Sequence, residues 1–209
     1  MLLRLKSRLP FVLMDSRPKA MQGVDFVGSN HTQGTGIITE YLYHAGDPPV
    51  FLAMPWVNFN ALEREAAYIA RMQELGFEPQ VIGTQAVDAR GYFEEHGKAV
   101  LGAEFAAGRL LNRSILCAND RVAIGAIRAA AQYGLVPSRV AKGGLRIAGH
   151  DDNPLCPYLN PALTTVAQNS DAIGKKTVSR ILQIIRGEVE EGAPEITLFD
   201  VTLKLREST

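Results

Sequence analysis

The sequence predicts an α/β protein with parallel sheets, and three observations carry that prediction. Apolar runs of strand length alternate with helical patterns along most of the chain. Most of those runs are apolar at consecutive positions, as strands buried on both faces of a parallel sheet are. Several helical patterns close on a glycine (Gly46, Gly76 and Gly134), the residue that most readily takes a left-handed helix cap. Repeated strand–helix–strand units with right-handed crossovers follow.

The predicted strands are PFVLMD (10–15), VDFVGS (24–29), PVFLAMP (49–55), PQVIGT (79–84), RSILCAND (113–120) and LRIAGHDD (145–152). Helical patterns occupy 35–45, 61–75, 92–107, 121–133 and 171–186. In the second of these, Leu62, Ala66, Ile69, Met72 and Leu75 recur at three- and four-residue steps, the spacing of an amphipathic helix. The last third changes character. PALTTV (161–166) is a short β-branched strand with no helix before it. In the tail, Val201, Leu203 and Leu205 alternate with Thr202, Lys204 and Arg206, which predicts one half-exposed edge strand.

Composition narrows the function. The 209 residues are 46% hydrophobic and 21% charged, enough to bury a sizeable core, which excludes a disordered chain. Lys and Arg number 22 against 22 Asp and Glu, so the chain lacks the basic excess of a free-standing nucleic-acid binder. Cys117 and Cys156 are too few for a disulfide framework or a cysteine zinc site and read as reduced core residues of a cytoplasmic protein. The start, MLLRLKSRLPFVLMD, mixes Arg4, Lys6 and Arg8 into its apolar residues and has neither a signal-peptide core nor a membrane span.

Enzyme signals are thin. His31, His44, His96 and His150 lack HxxxH or HExxH spacing, and no G-x-S-x-G elbow, Walker loop or G-x-G-x-x-G is present. Gly34-Thr35-Gly36, placed where a helix is predicted to begin, either binds an anion or eases the turn. Asp151-Asp152 offers paired carboxylates for acid/base work or Mg²⁺, but no third acidic group, Lys or His is in register. No catalytic residue, metal or cofactor is therefore expected.

Ligands of open parallel sheets sit at the carboxyl ends of the strands. There the sequence places Asp15, Ser29, Asn30, Asn119, Asp120, Asp151 and Asp152. Singly, each reads as a helix cap or loop residue, Asp120 most of all. Together they suit a polyol. Arg64 reads either as a solvated arginine or as a donor fork for vicinal hydroxyls or a carboxylate. Of Tyr92 and Phe93, one is expected in the core, and the other is free to stack on a sugar ring.

These strand ends and their neighbours resemble the effector-binding region of the LacI/GalR family of bacterial transcription regulators. The carrying motifs are VDFVGSN (24–30), ILCANDRVAIGAIRAAAQYGLVP (115–137), LRIAGHDDNP (145–154), NPALTTVAQ (160–168), Ile173-Gly174 and the terminal LREST (205–209). The resemblance implies a periplasmic-binding-protein-like fold with two parallel-sheet α/β subdomains, an effector cleft between them and crossovers near Ser29-Asn30, Gln168 and Asp200. It implies a partial amino-terminal subdomain from 1–29 plus 169–199 and a carboxy-terminal subdomain from 30–168 plus 200–209. Asp15, Arg64, Asn119, Asp151 and Gln168 match effector contacts of the family, while Asn60 and Tyr92 match by spacing. Ser29 stands where an Asp is common, and His150 replaces the usual aromatic.

The implied function is effector sensing: a small sugar or related polyol bound in the cleft switches the operator affinity of a full-length homodimer. DNA is reached only through an amino-terminal helix-turn-helix head, and no membrane is involved. The family begins with that head, and this sequence starts at about the helix before the subdomain's fourth strand. A truncation is expected, over a proteolytic fragment or a degenerate paralogue. Neutral charge suits an effector domain whose basic surface belongs to the head. The alternative is a sugar-binding protein of a transport system; an enzyme on a similar sheet lacks its catalytic constellation.

Overall fold

A computed structural model describes residues 9–21, 23–55, 59–85, 92–138, 144–189 and 193–209. The start with Arg4, Lys6 and Arg8, and part of the polar turn before residue 193, lie outside the described residues.

The chain runs β1 (Leu13–Met14), β2 (Phe26–Ser29), α1 (His31–Ala45), β3 (Val50–Leu52), α2 (Phe59–Glu74), β4 (Val81–Ile82) and α3 (Phe93–Ala106). It continues with β5 (Ser114–Cys117), α4 (Asp120–Gln132), β6 (Arg146–Ala148), β7 (Thr165–Ala167), α5 (Ser170–Ile185), β8 (Ile196–Phe199) and β9 (Thr202–Lys204). Short 3₁₀ turns at Lys19–Met21 and Cys156–Tyr158 fill two of the connections.

Two parallel sheets result. One orders its strands β1-β2-β8; the other orders them β4-β3-β5-β6. An antiparallel β7–β9 pair attaches to the end of the second sheet through bridges Ala148↔Thr164 and Asp151↔Ala167. Strands β2, β3 and β5 are buried along their whole length, as their unbroken apolar or small-residue runs require, and β6 is buried as well, its Arg146 included. A continuous core joins Ile38 and Leu42 of α1, Phe51 of β3, Tyr68 and Met72 of α2, Leu116 of β5 and Val122 of α4. Tyr68 sits there with its hydroxyl donated to the Pro49 carbonyl at 2.7 Å, which satisfies its one polar atom. On the smaller sheet, Arg180 of α5 meets Asp25 at 2.6 Å and fixes the helix against β2.

Three sequence expectations need correction. Helix α1 begins at His31, before Thr35, because Asn30 accepts from the Gln33 amide and caps it; Gly34-Thr35-Gly36 lies inside the helix. The tail is not one edge strand. Its first part, β8, pairs parallel with β2, and after Asp200 the chain moves to the other sheet as β9. Gly46 is not a left-handed cap: its φ is −175°, and a Cβ there would stand 2.8 Å from Arg146 Nη1, whereas Gly76 and Gly134 do have positive φ.

Cys117 and Cys156 are both buried and free, and burial pushes each thiol above its ordinary pKa. No helix among the described residues is long and apolar enough to cross a membrane.

Candidate functional site

The polar residues at the strand ends converge. Asp15 follows β1, Ser29 ends β2, Asn119 follows β5, Asp151 follows β6 and Gln168 follows β7. Helix α2 adds Asn60 and Arg64 from its first two turns. Both are buried, because α2 packs this face against α1 and the second sheet, so Arg64 is not the solvated arginine that a helix surface normally carries.

Burial obliges Arg64 to find partners, and it has three. Nη2 donates to Asp151 Oδ1 at 2.6 Å, Nη1 to the Ala118 carbonyl at 2.8 Å, and Nε to His31 Nδ1 at 3.4 Å. Asp151 Oδ1 also accepts from Gln168 Nε2 at 2.7 Å and faces His150 Nδ1 at 3.4 Å. Every contact on this carboxylate falls on one oxygen. Among the described residues Oδ2 has no partner, and the side chain keeps 37% of its surface exposed. Asp15 repeats the pattern: Oδ2 accepts from Asn60 Nδ2 at 3.4 Å, and Oδ1 has no partner among the described residues.

The backbone sets both carboxylates. Asp15 has φ 65° and Asp151 has φ 122°, and Asp152 beside it has φ 55°. Positive φ is unfavourable for residues with a Cβ, and such residues gather where a surrounding structure holds them for a purpose. The Asp15 and Asp151 amides are held by the Val27 and Val166 carbonyls at 2.9 Å each, so the strained residues stay in register with the sheets.

Electrostatics separates the two acids. Burial pushes the Asp15 carboxyl up and the charge of Asp151 pushes it further, against the pull of Arg64. Burial also works against a charged Asp151, but Arg64 and the His150 contact outweigh it and hold its pKa at about 2. Behind them, His31 and His150 face each other with ring centroids 5.5 Å apart. Burial, reinforced by the Arg64 charge, lowers His31 to about 3 and His150 to about 4, so both imidazoles are neutral at pH 7. A neutral His31 is what the Arg64 Nε–H needs as acceptor.

The remaining candidates stand apart from this cluster in different degrees. Asn119 is buried beside Ala118; its Oδ1 caps α4 by accepting from Val122 N at 2.8 Å, and its Nδ2 points to Met54 Sδ at 3.1 Å. Tyr92 precedes α3 and is 53% exposed, with no side-chain cap bond. Phe93 is the partly buried member of that aromatic pair, under the Arg121 guanidinium at 4.9 Å.

Asp120, expected as a cap, is instead the first residue of α4. It is buried, with Oδ1 accepting from the Thr165 hydroxyl at 2.6 Å and Oδ2 from the Asn153 amide at 2.7 Å. Asp151 and Asp152 do not act as a pair. Asp152 turns to Arg206 at 2.6 Å while Asp151 turns to Arg64. Among the described residues, no three His, Cys, Asp or Glu side chains are placed to hold a metal ion.

His31 lacks metal-ligand spacing in the sequence, which does not reveal it as the partner of Arg64. The usable signal was the polar run Ser29-Asn30-His31 at the end of a buried strand. Hollows of about 510 and 690 Å³ lie away from this cluster, whereas one of about 410 Å³ reaches its edge at Ser29 and His31. Chemistry, not volume, distinguishes the site.

Two parallel sheets joined by strand-end crossovers, with a polar cluster at the joint, define a periplasmic-binding-protein-like α/β protein. Residues 49–209 match the family model described as a periplasmic binding protein-like domain. The chain is 31% identical over 185 residues to the HTH-type transcriptional regulator MalR of Streptomyces coelicolor, covering 86% of this chain and 50% of that protein. It is 28% identical over 187 residues to the transcriptional repressor PurR of Pasteurella multocida, covering 88% of this chain and 53% of that protein.

Among solved structures, the Lac repressor bound to ONPG in its repressed state superposes with a TM-score of 0.76 at 25% identity, covering 90% of this chain and 53% of the repressor. A LacI-family regulator from Corynebacterium glutamicum gives a TM-score of 0.76 at 26% identity, covering 95% of this chain and 72% of the other. The chain belongs to the LacI family, in its periplasmic-binding-protein-like effector-binding region. The two curated relatives are regulators rather than enzymes, as the non-enzymatic reading expects, and the chain spans about half their length.

Proposed function

We propose that this chain senses a small sugar or related polyol for a LacI-type regulator. The carrying observation is the pair of half-used carboxylates. Among the described residues, Asp151 Oδ1 is engaged by donors and Oδ2 is not, and Asp15 Oδ2 is engaged and Oδ1 is not. Carboxylate oxygens only accept, so the ligand has to bring donors, and vicinal hydroxyls do so. Arg64 uses three of its five N–H groups inside the protein, one of them to hold Asp151 in place for the ligand. Asn60, Gln168 and Asn119 border the same region, and Tyr92 supplies an exposed ring able to lie on the apolar face of a sugar.

In this reading the subdomains are 1–29 plus 169–199 and 30–168 plus 200–209, with the cleft between them. Effector binding favours one relative setting of the two, and in a cytoplasmic homodimer that difference biases DNA-binding heads carried outside this chain. A transport role is less well supported, since MalR and PurR are named as transcription regulators. Calorimetry against a panel of neutral mono- and disaccharides tests the proposal. One sugar is expected to bind, with Asp151→Asn and Arg64→Ala each weakening it at least tenfold, on the order of 1.4 kcal/mol. Affinity unchanged in both variants overturns the site assignment.

A further inference from the structure

We propose that Ser29 is a positioning residue that commits the amide of Gln168 to Asp151. Ser29 is 3% exposed at the end of β2, and its hydroxyl donates to Gln168 Oε1 at 2.6 Å. The other end of the same amide, Nε2, donates to Asp151 Oδ1 at 2.7 Å. The two ends of a glutamine amide are nearly the same size, so its partners decide which way it faces. Asp151 can only accept and therefore demands the NH₂ end. That leaves Oε1 pointing at Ser29, where a donor is required. A serine hydroxyl is such a donor; an alanine there offers nothing, and a carboxylate would compete with Asp151 for the same NH₂.

The consequence reaches the site. Ser29 belongs to the β1-β2-β8 sheet, and Asp151 follows β6 of the other. The Ser29–Gln168–Asp151 chain is thus a polar link between the sheets. With Gln168 and Arg64 both on Oδ1, the carboxylate is held with Oδ2 free. The charged or titratable groups acting on Asp151 in this arrangement are Arg64 and His150, with Asp15, Asp120 and His31 coupled to it by charge.

The test needs no effector, so its failure is separate from failure of the sensing role. Nitrogen-15 NMR follows hydrogen exchange of the Gln168 side-chain NH₂, and carbon-13 NMR of the Asp151 carboxyl follows its titration, both in the full chain. In the wild type, the Gln168 NH₂ is expected to exchange at least about tenfold more slowly than a free amide side chain. Ser29→Ala is expected to speed exchange about five- to tenfold, the size of one hydrogen bond, and to move the Asp151 titration upward. Ser29→Thr, which keeps the hydroxyl, restores both readings; Ser29→Asp reproduces or exceeds the loss. A wild-type Gln168 NH₂ that exchanges as fast as a free amide overturns the proposal without any variant. So does a Ser29→Ala chain with both readings unchanged.

Discussion

Arg64 and Asp151 meet at 2.6 Å with unequal surroundings: the arginine side chain is 4% exposed and the aspartate 37%. The arginine is held by the protein on three sides, whereas the aspartate keeps one oxygen turned away from every described partner. This asymmetry makes the pair a fixed cation presenting a usable acceptor. Removing Arg64 should therefore cost more than a surface pair would. Breaking a buried pair costs about 3–5 kcal/mol, and the partial exposure of Asp151 reduces that to about 2–3. Urea unfolding of Arg64→Ala at pH 7 checks the value. Arg64→Lys should recover less than half, since one ammonium cannot reach Asp151, Ala118 O and His31 in the guanidinium's geometry. A loss under about 0.5 kcal/mol for Arg64→Ala contradicts the geometry.

Acid should weaken the fold well before carboxylates titrate. His31 and His150 have pKa values of about 3 and 4 in the folded chain, against about 6.5 unfolded. Between those limits the unfolded state binds more protons, so stability is full above pH 6.5 and falls as the pH drops toward 4. Asp151, held at about 2, extends the loss below pH 4, while the raised Asp15 and Asp120 partly offset it. Each histidine contributes at most about 1.4 kcal/mol per pH unit. Urea melts at pH 7.0 and 5.0 should differ by up to about 3–4 kcal/mol, the less stable being at pH 5.0. Equal stability at the two values would mean that the imidazoles are not buried neutral.

These behaviours also show which parts of the molecule are legible in sequence. Runs such as VFL of β3 and SILC of β5 are buried along their whole length, and an unbroken apolar or small-residue stretch reports that directly. The tail misleads because the alternation of Val201, Leu203 and Leu205 with polar residues follows β8 without a break in the chain, although a change of sheet at Asp200 separates β8 from β9. Alternation records which side chains are inward, not which sheet receives them. At the site, Asp15, Asn119 and Asp151 are legible as polar residues closing strands, and Gln168 only through the family resemblance. The burial of Arg64 and the facing of His31 with His150 are not, since they arise from α1 packing on α2 and from three distant segments meeting.

Helices α3 and α4 approach so closely that glycine is required at the contact. A Cβ on Gly97 would lie 2.1 Å from the Val122 carbonyl oxygen, and one on Gly125 would lie 1.9 Å from that of Glu94. Both obstacles are backbone, so a side-chain rotation cannot relieve them. Gly97→Ala and Gly125→Ala should each destabilise by about 2–4 kcal/mol, despite alanine's better helix propensity of about 1 kcal/mol. Gly102, also in α3, has open space around its position, and Gly102→Ala should stabilise by up to about 1 kcal/mol. Thermal melts of the three variants separate steric from propensity effects; equal shifts in all three would refute the close approach.

The last residues act as a clasp on the second sheet. Ser208 is fully buried: its hydroxyl donates to the Ile147 carbonyl at 2.7 Å and accepts from the Thr164 amide at 2.9 Å. Thr209 continues the contact by donating to the Thr164 hydroxyl at 2.8 Å, and Arg206 ties the segment to Asp152. Ser208→Ala leaves a buried amide and a buried carbonyl each short of one bond, at about 1–3 kcal/mol for an unsatisfied group. The expected loss is about 2 kcal/mol. Amide exchange at Thr164 gives the local reading and urea unfolding the global one. Because Thr164 leads into β7, which carries Gln168 at its far end, Ser208→Ala should also speed exchange at the Asp151 amide, bonded to Val166 at 2.9 Å. Faster exchange at Thr164 with none at Asp151 would show that the clasp secures only its own end of the strand.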